Sequence, residues 1–243
     1  MTHRQEGILR IPRHALTVLY VLLAIAYFFA RANGPKFLYL VMKALPLALL
    51  ILNSPWKGRY RKLVAAGLVC SIAGDVLLET PLKLIGIAAF LGANALYIVA
   101  FAGKSRKPAL LPCAASYSYG IAGFCLLNPF KAKLAIPAVV YMFVITTMLW
   151  RAWAQSGHGR RERTAFAGAL LFVASDTILG YKWFAGDFPF ASLILMIAYW
   201  AGQYCIFLSA AGSGEERRAV SSEESAIVVE GGKIGSDDAR IGA

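Results

Sequence analysis

The sequence predicts an all-α polytopic membrane protein with eight transmembrane helices, and three observations carry that expectation. Of 243 residues, 58% are hydrophobic and only 16% are charged, with a mean hydropathy of +0.60; an ordinary soluble domain carries about 25% charged residues. The apolar residues fall in runs of helix length, and a bilayer admits only helices or closed barrels, because lipid offers no partner to a backbone N–H or C=O. The charge is also confined. Up to residue 210 the acids are Glu6, Asp75, Glu79, Glu162, Asp176 and Asp187, and the other seven lie in the last 33 residues.

The runs can be read in order. The first, 15–30, follows Arg4, Arg10 and Arg13 and ends at Ala30-Arg31-Ala32, a small-x-small pattern that also suits signal-peptide cleavage. It is long for the apolar region of a signal peptide, and the loop charges balance with it kept, so it reads as a retained span. Asn33-Gly34-Pro35 separates it from 37–53, which Asn53-Ser54-Pro55 ends. The third run, 63–79, stops at Thr80-Pro81, and the fourth is 82–102. Lys107-Pro108 precedes 109–127, Asn128-Pro129 ends it, and 134–151 follows. The polar stretch from Gly157 to Arg163 leads into 164–181, and Gly186-Asp187 leads into 189–210. Each break is a Pro, Gly or polar cluster of the kind that stops a helix. Several runs lie near the ~17-residue lower limit for spanning.

Loop charge sets orientation. Fourteen basic residues fall on one side, in the N-terminus and in loops holding Lys57 to Lys62, Lys104 to Lys107 and Arg151 to Arg163; six fall on the other, at Arg31, Lys36, Lys83, Lys131, Lys133 and Lys182. Both termini are therefore expected in the cytoplasm, of a cell inner membrane if the host is bacterial. Residues 1–210 form the transmembrane domain. Residues 211–243, rich in Gly, Ser and charge, read as a disordered cytoplasmic tail. The overall charge of +12 does not point to nucleic acid, since the basic residues are scattered over short loops instead of gathered on one face.

Familiar catalytic signals fail. Cys70, Cys113, Cys125 and Cys205 form no CxxC pair, and His3, His14 and His158 form no HxxxH pair, so no metal site and no cofactor is expected. What remains is polar residues inside apolar runs, which are functional hypotheses by default. Asp75 and Asp176 stand out as a matched pair. Each lies 13 residues after a basic boundary, Lys62 or Arg163, and each sits in a small-Asp-x-aliphatic-Leu context. Tyr97 follows Asp75 by 22 residues and Tyr199 follows Asp176 by 23, which suggests two tandem four-helix halves. Glu79 shares a face with Asp75 at i, i+4. Lys43, Asn94 and Gln203 complete the intramembrane polar set. The bland reading of Lys43 is a buried ion pair with one Asp; that of Tyr97, Tyr199 and Gln203 is interhelical hydrogen bonding. If the two acids converge, mutual repulsion leaves one protonated and one ionised. Such a division serves acid/base hydrolysis, and it serves proton relay in a proton-coupled small-molecule or lipid transporter equally well.

At these residues the chain resembles the YhhN-like family of multi-pass membrane proteins, the lysoplasmalogenases. The resemblance rests on Gly74 to Leu78, Phe90 to Tyr97, the run from Tyr141 to Ala152, Gly168 to Asp176, Tyr199-Trp200-x-x-Gln203 and Lys43-x-x-Pro46, and covers about residues 37–208. One departure is clear: the family's fourth helix usually carries Ala-His-x-x-Tyr, and here Asn94 stands at the His position. Asn hydrogen-bonds but does not titrate. The resemblance implies an integral membrane hydrolase that cleaves the vinyl ether bond of lysoplasmalogens to a fatty aldehyde and glycerophosphoethanolamine or glycerophosphocholine. Asp75 and Asp176 are then the catalytic pair. Tyr97, Tyr199, Asn94 and Gln203 would position water and the glycerol hydroxyl, and Lys43 and Glu79 would complete the lysophospholipid site.

Overall fold

The computed structural model describes residues 11–53, 57–127 and 135–211. All their regular structure is helical: α1 (Arg13–Asn33), α2 (Lys36–Leu52), α3 (Arg59–Leu78), α4 (Lys83–Ala102), α5 (Leu110–Leu127), α6 (Ala135–Gln155), α7 (Arg160–Phe184) and α8 (Ala191–Ala211), with a single 3-10 turn at Ser156–His158 between α6 and α7. These match the eight apolar runs. The clearest difference is at α7, which begins a turn earlier, because Arg160, Arg161, Glu162 and Arg163 end hydropathy but not helix propensity. The tail assigned to 211–243 lies outside the described residues beyond Ala211.

Six of the eight helices are long and apolar enough to cross a membrane: α1, α4, α5, α6 with its 3-10 turn, α7 and α8. The expected count of eight is thus met in helices but not in spans of that quality. α2 has only 17 residues, with Lys43 and Pro46 inside it, and α3 carries Arg59, Arg61, Lys62 and Asp75. Each offsets its polar content inside the protein: Lys43, Pro46, Ser71 and Asp75 are all buried.

Two helix pairs pack most extensively, α3 with α4 and α7 with α8, and small residues explain both. A Cβ on Gly168 would stand 2.7 Å from the Gly202 carbonyl oxygen, and one on Gly202 would stand 2.9 Å from that of Gly168. Only glycine lets the two backbones meet there. In the other pair, Gly67 makes room for the Tyr97 ring and Gly74 for the Phe90 ring. α3 and α7, and α4 and α8, are the helices that a tandem four-helix repeat would equate. α1 closes the bundle by running antiparallel to α8. Thr17 meets the Tyr204 hydroxyl at 2.5 Å, Tyr20 donates to the Trp200 carbonyl at 2.8 Å, and the Tyr27 and Trp200 rings lie edge to face at 5.1 Å. The turn from α7 to α8 is tied by Lys182, which donates to both Asp187 carboxylate oxygens at 3.0 and 2.9 Å and to Ser192 at 2.7 Å. That bond holds the exposed Asp187 carboxyl below its ordinary range.

Candidate active site

Asp75 sits one turn from the end of α3 and is 3% exposed. A carboxylate so placed is costly unless it is paired, and the helices around it supply the partners. From α2, Lys43 places its ammonium 3.7 Å from Asp75 Oδ1 and 3.1 Å from Glu79 Oε1. The i, i+4 spacing of the two acids lets one lysine serve both. From α8, the Tyr199 hydroxyl donates to Asp75 Oδ2 at 2.7 Å. Lys36 reaches the Glu79 carbonyl at 2.5 Å. Lys43 thus hydrogen-bonds Glu79 and pairs with Asp75 at longer range, and with Lys36 at the Glu79 carbonyl two ammonium groups face the two carboxyls.

Asp176 is treated differently. No cation pairs with it among the described residues; its partner is Tyr141 on α6, whose hydroxyl donates to Asp176 Oδ2. Tyr141 in turn accepts from the Asn94 amide at 3.2 Å, and the same amide nitrogen donates to the Phe90 carbonyl at 3.0 Å. This fixes the direction of the chain: with Asn94 donating to Tyr141, the phenol proton points at Asp176. Asn94 is fully buried, and its carbonyl oxygen has no partner. In a dry interior such an atom calls for a bound water.

Each acid takes a partner from the helix just before its own, Lys43 of α2 for Asp75 and Tyr141 of α6 for Asp176. The first is a cation and the second a neutral phenol, so the chain equips two alike aspartates for different work.

Asp176 also faces a cavity whose wall does not include Asp75. The cavity, of about 100 Å³, lies between α3, α4, α5, α6 and α7 and is almost wholly apolar. Its polar groups are Asp176, Tyr141, Thr177 and Tyr119, with the Phe90 ring forming part of the wall. Phe90 links the two carboxyl clusters: its ring lies 6.1 Å from that of Tyr199, which holds Asp75, and its carbonyl accepts from Asn94.

Tyr97 and Gln203 are placed elsewhere. Tyr97 donates to Gln203 Oε1 at 2.7 Å, and the Gln203 amide donates to Ser71 at 3.0 Å. All three are buried, none lines the cavity, and together they tie α3, α4 and α8. Tyr141, by contrast, is a site residue that the sequence reading quoted only as the start of the family-like run to Ala152, without a role in the site. A second signal is its position on α6, in the helix preceding the second acid as Lys43 precedes the first. Tyr141→Phe keeps the ring and removes the hydroxyl. About a 10-fold fall in turnover is expected, with the thermal midpoint in detergent shifted by no more than the ~1 kcal/mol of a lost hydrogen bond; unchanged turnover would separate Tyr141 from the chemistry. No His, Cys, Asp or Glu cluster among the described residues has the makings of a metal site.

Span-length helices packed around a buried Asp75 and a half-buried Asp176 that faces an apolar cavity define a multi-pass membrane protein. The YhhN family model matches residues 36–210, and the chain belongs to that family. Among curated proteins it is similar to lysoplasmalogenase TMEM86B of three mammals. It is 36% identical to the human protein over 154 residues, covering 63% of this chain and 65% of that one. Identity to the rat protein is 33% over 183 residues, covering 73% and 75%. Identity to the pig protein is 31% over 226 residues, covering 86% and 96%. No solved structure matches the chain significantly.

Proposed function

We propose that this protein is a lysoplasmalogenase, a membrane hydrolase that adds water across the vinyl ether of alkenyl lysophospholipids. The observation that carries the reading is Asp176: a carboxyl with no cation partner, oriented by a phenol, on the wall of an apolar cavity inside a protein whose relatives bear that name.

The mechanism follows from the environments of the two acids. Asp176, uncompensated in an apolar wall, is the proton donor. It protonates the vinyl carbon remote from the ether oxygen, which leaves an oxocarbenium ion at the carbon bearing that oxygen. Two features stabilise the cation: the Phe90 ring in the cavity wall and the Asp75 carboxylate behind it. Water then adds to the cationic carbon and gives its proton to the Asp176 carboxylate, restoring the acid. The resulting hemiacetal collapses to a fatty aldehyde and the glycerophospho alcohol. Asn94 acts through Tyr141, donating to the phenol oxygen so that the phenol proton points at Asp176. Lys43 keeps Asp75 ionised, and Tyr199 holds that carboxylate toward Phe90. Tyr97 and Gln203 act on the packing of α4 against α8. For the chain as a whole, α2 and α3 also cross the bilayer, with both termini on the cytoplasmic side and the residues after 211 forming a tail there.

The test is isotopic. Purified protein in detergent, given an alkenyl lysolipid in D2O, is expected to release aldehyde carrying one deuterium on the carbon next to the carbonyl. The alkyl ether of the same length is expected to stay intact. Aldehyde without deuterium would rule out protonation at carbon, and no aldehyde at all would rule out the activity.

A further inference from the structure

The cavity beside Asp176 is partly open and lies within the half of the bundle nearer one end, its open end. Each helix that lines it does so with the part nearest a single membrane face. Leu78 ends α3, Ile87 lies in the first turns of α4, Leu127 ends α5, Pro137 begins α6 and Phe184 ends α7. The opposite end is sealed by polar ties. Arg151 donates to the Ser105 and Lys107 carbonyls, Trp150 donates to that of Pro108, Lys104 pairs with Glu162 at 3.6 Å, and Tyr60 meets Ser209 at 2.8 Å. The Tyr97–Gln203–Ser71 chain closes the level between. α8 starts at the open end and finishes at the sealed one, so the C-terminal segment leaves from the sealed face.

Length constrains what enters. The wall that α7 provides runs from Val173 to Phe184, about 16 Å at 1.5 Å per residue, and Asp176 lies only about 4–5 Å from its inner end. A long hydrocarbon tail has no room beyond the carboxyl, and a volume of about 100 Å³ is well under the ~300 Å³ of a pocket that encloses even a drug-sized ligand. The tail must leave sideways. One seam at that level is between α5 and α7, which touch only slightly. There the hydroxyls of Tyr119 and Thr177 meet at 2.6 Å at an exposed position, one residue from Asp176. Tyr119, 42% exposed, stands on the lipid-facing rim.

We infer that the site draws its lysolipid from the leaflet opposite the C-terminus: the headgroup lies toward the open end, the vinyl ether lies at Asp176, and the tail passes between α5 and α7 into that leaflet. This rests on the hydrolase reading. It adds a direction, since the water-soluble glycerophospho product leaves on the side away from the tail.

The experiment reads sidedness. Protein with a C-terminal affinity tag is reconstituted at about one molecule per phosphatidylcholine vesicle, and vesicles with exposed tags are captured. Alkenyl lysolipid is added from outside, so that it populates the outer leaflet first. Vesicles that escape capture, with the tag inside, are expected to release aldehyde at least 10-fold faster initially than the captured ones. A Trp183→Cys substitution at the open rim, with the four native cysteines replaced, is expected to react with an impermeant maleimide in the uncaptured vesicles alone. Equal rates, or faster release from captured vesicles, overturn the assignment. Dissolving both fractions in detergent should equalise them; no aldehyde from either would remove the hydrolase reading, and the sidedness with it.

Discussion

Replacing Asp176 with asparagine is expected to lower aldehyde release by about 10²–10⁴-fold, the usual contribution of a positioned general acid. The substitution is nearly isosteric. The amide oxygen still accepts from Tyr141, so the helix contact survives while the transferable proton is lost. Thermal stability should hold, because no cation is left stranded: no salt bridge to Asp176 exists among the described residues. Asp75→Asn is expected to act differently. Asp75 does not line the cavity, and its charge acts through Phe90 and Tyr199, so a fall of about 10-fold is anticipated, an electrostatic effect of roughly 1.4 kcal/mol. Asp176→Asn with near-normal turnover would remove the acid from the mechanism. Equal and large losses in both variants would point instead to two acids sharing one proton.

The helices were legible because a bilayer writes them into composition. Long apolar runs broken by Pro, Gly and charge fix their number and their limits to within a few residues. Spanning was less legible: α2 and α3 read as spans by position, yet their length and charge fall short of the six clearest, because polar groups facing protein interior lower hydropathy without facing lipid. The acids were legible for a related reason, since a carboxyl in an apolar run has few explanations. Their partners were not. Lys43 lies 32 residues before Asp75 and could equally have served Asp176; only the packing of α2 on α3 decides. The role of Tyr141 was hidden because tyrosine is apolar over most of its surface and common at membrane interfaces. Tyr97 and Gln203 were singled out for the polarity that they spend on each other. Sequence exposes which groups are out of place in lipid, and only geometry shows which of them face a cavity.

Lys43→Met is expected to be the most damaging single change to folding. The ammonium is the nearest compensating charge for Asp75 at 3.7 Å and for Glu79 at 3.1 Å, and its side chain is 9% exposed. Methionine fills the same space and leaves the buried Asp75 with no paired cation among the described residues, and Glu79 with Lys36 at its carbonyl. Removing one partner of a buried pair costs about 3–5 kcal/mol, far more than the intact pair contributes against an apolar substitute, because the remaining ion is stranded. The expected readout is a lower thermal midpoint and a reduced yield of monodisperse protein in detergent. Adding Asp75→Asn to Lys43→Met should recover most of that loss, since Glu79 lies nearer the helix end and keeps Lys36 at its carbonyl. Recovery of stability without recovery of turnover would divide the roles cleanly: the pair is neutral for folding, and the Asp75 carboxylate itself acts on the reaction. If Lys43→Met alone proved as stable as the parent, the ion pair would have no part in holding α2 to α3, and the ionised state assigned to Asp75 would lose its support.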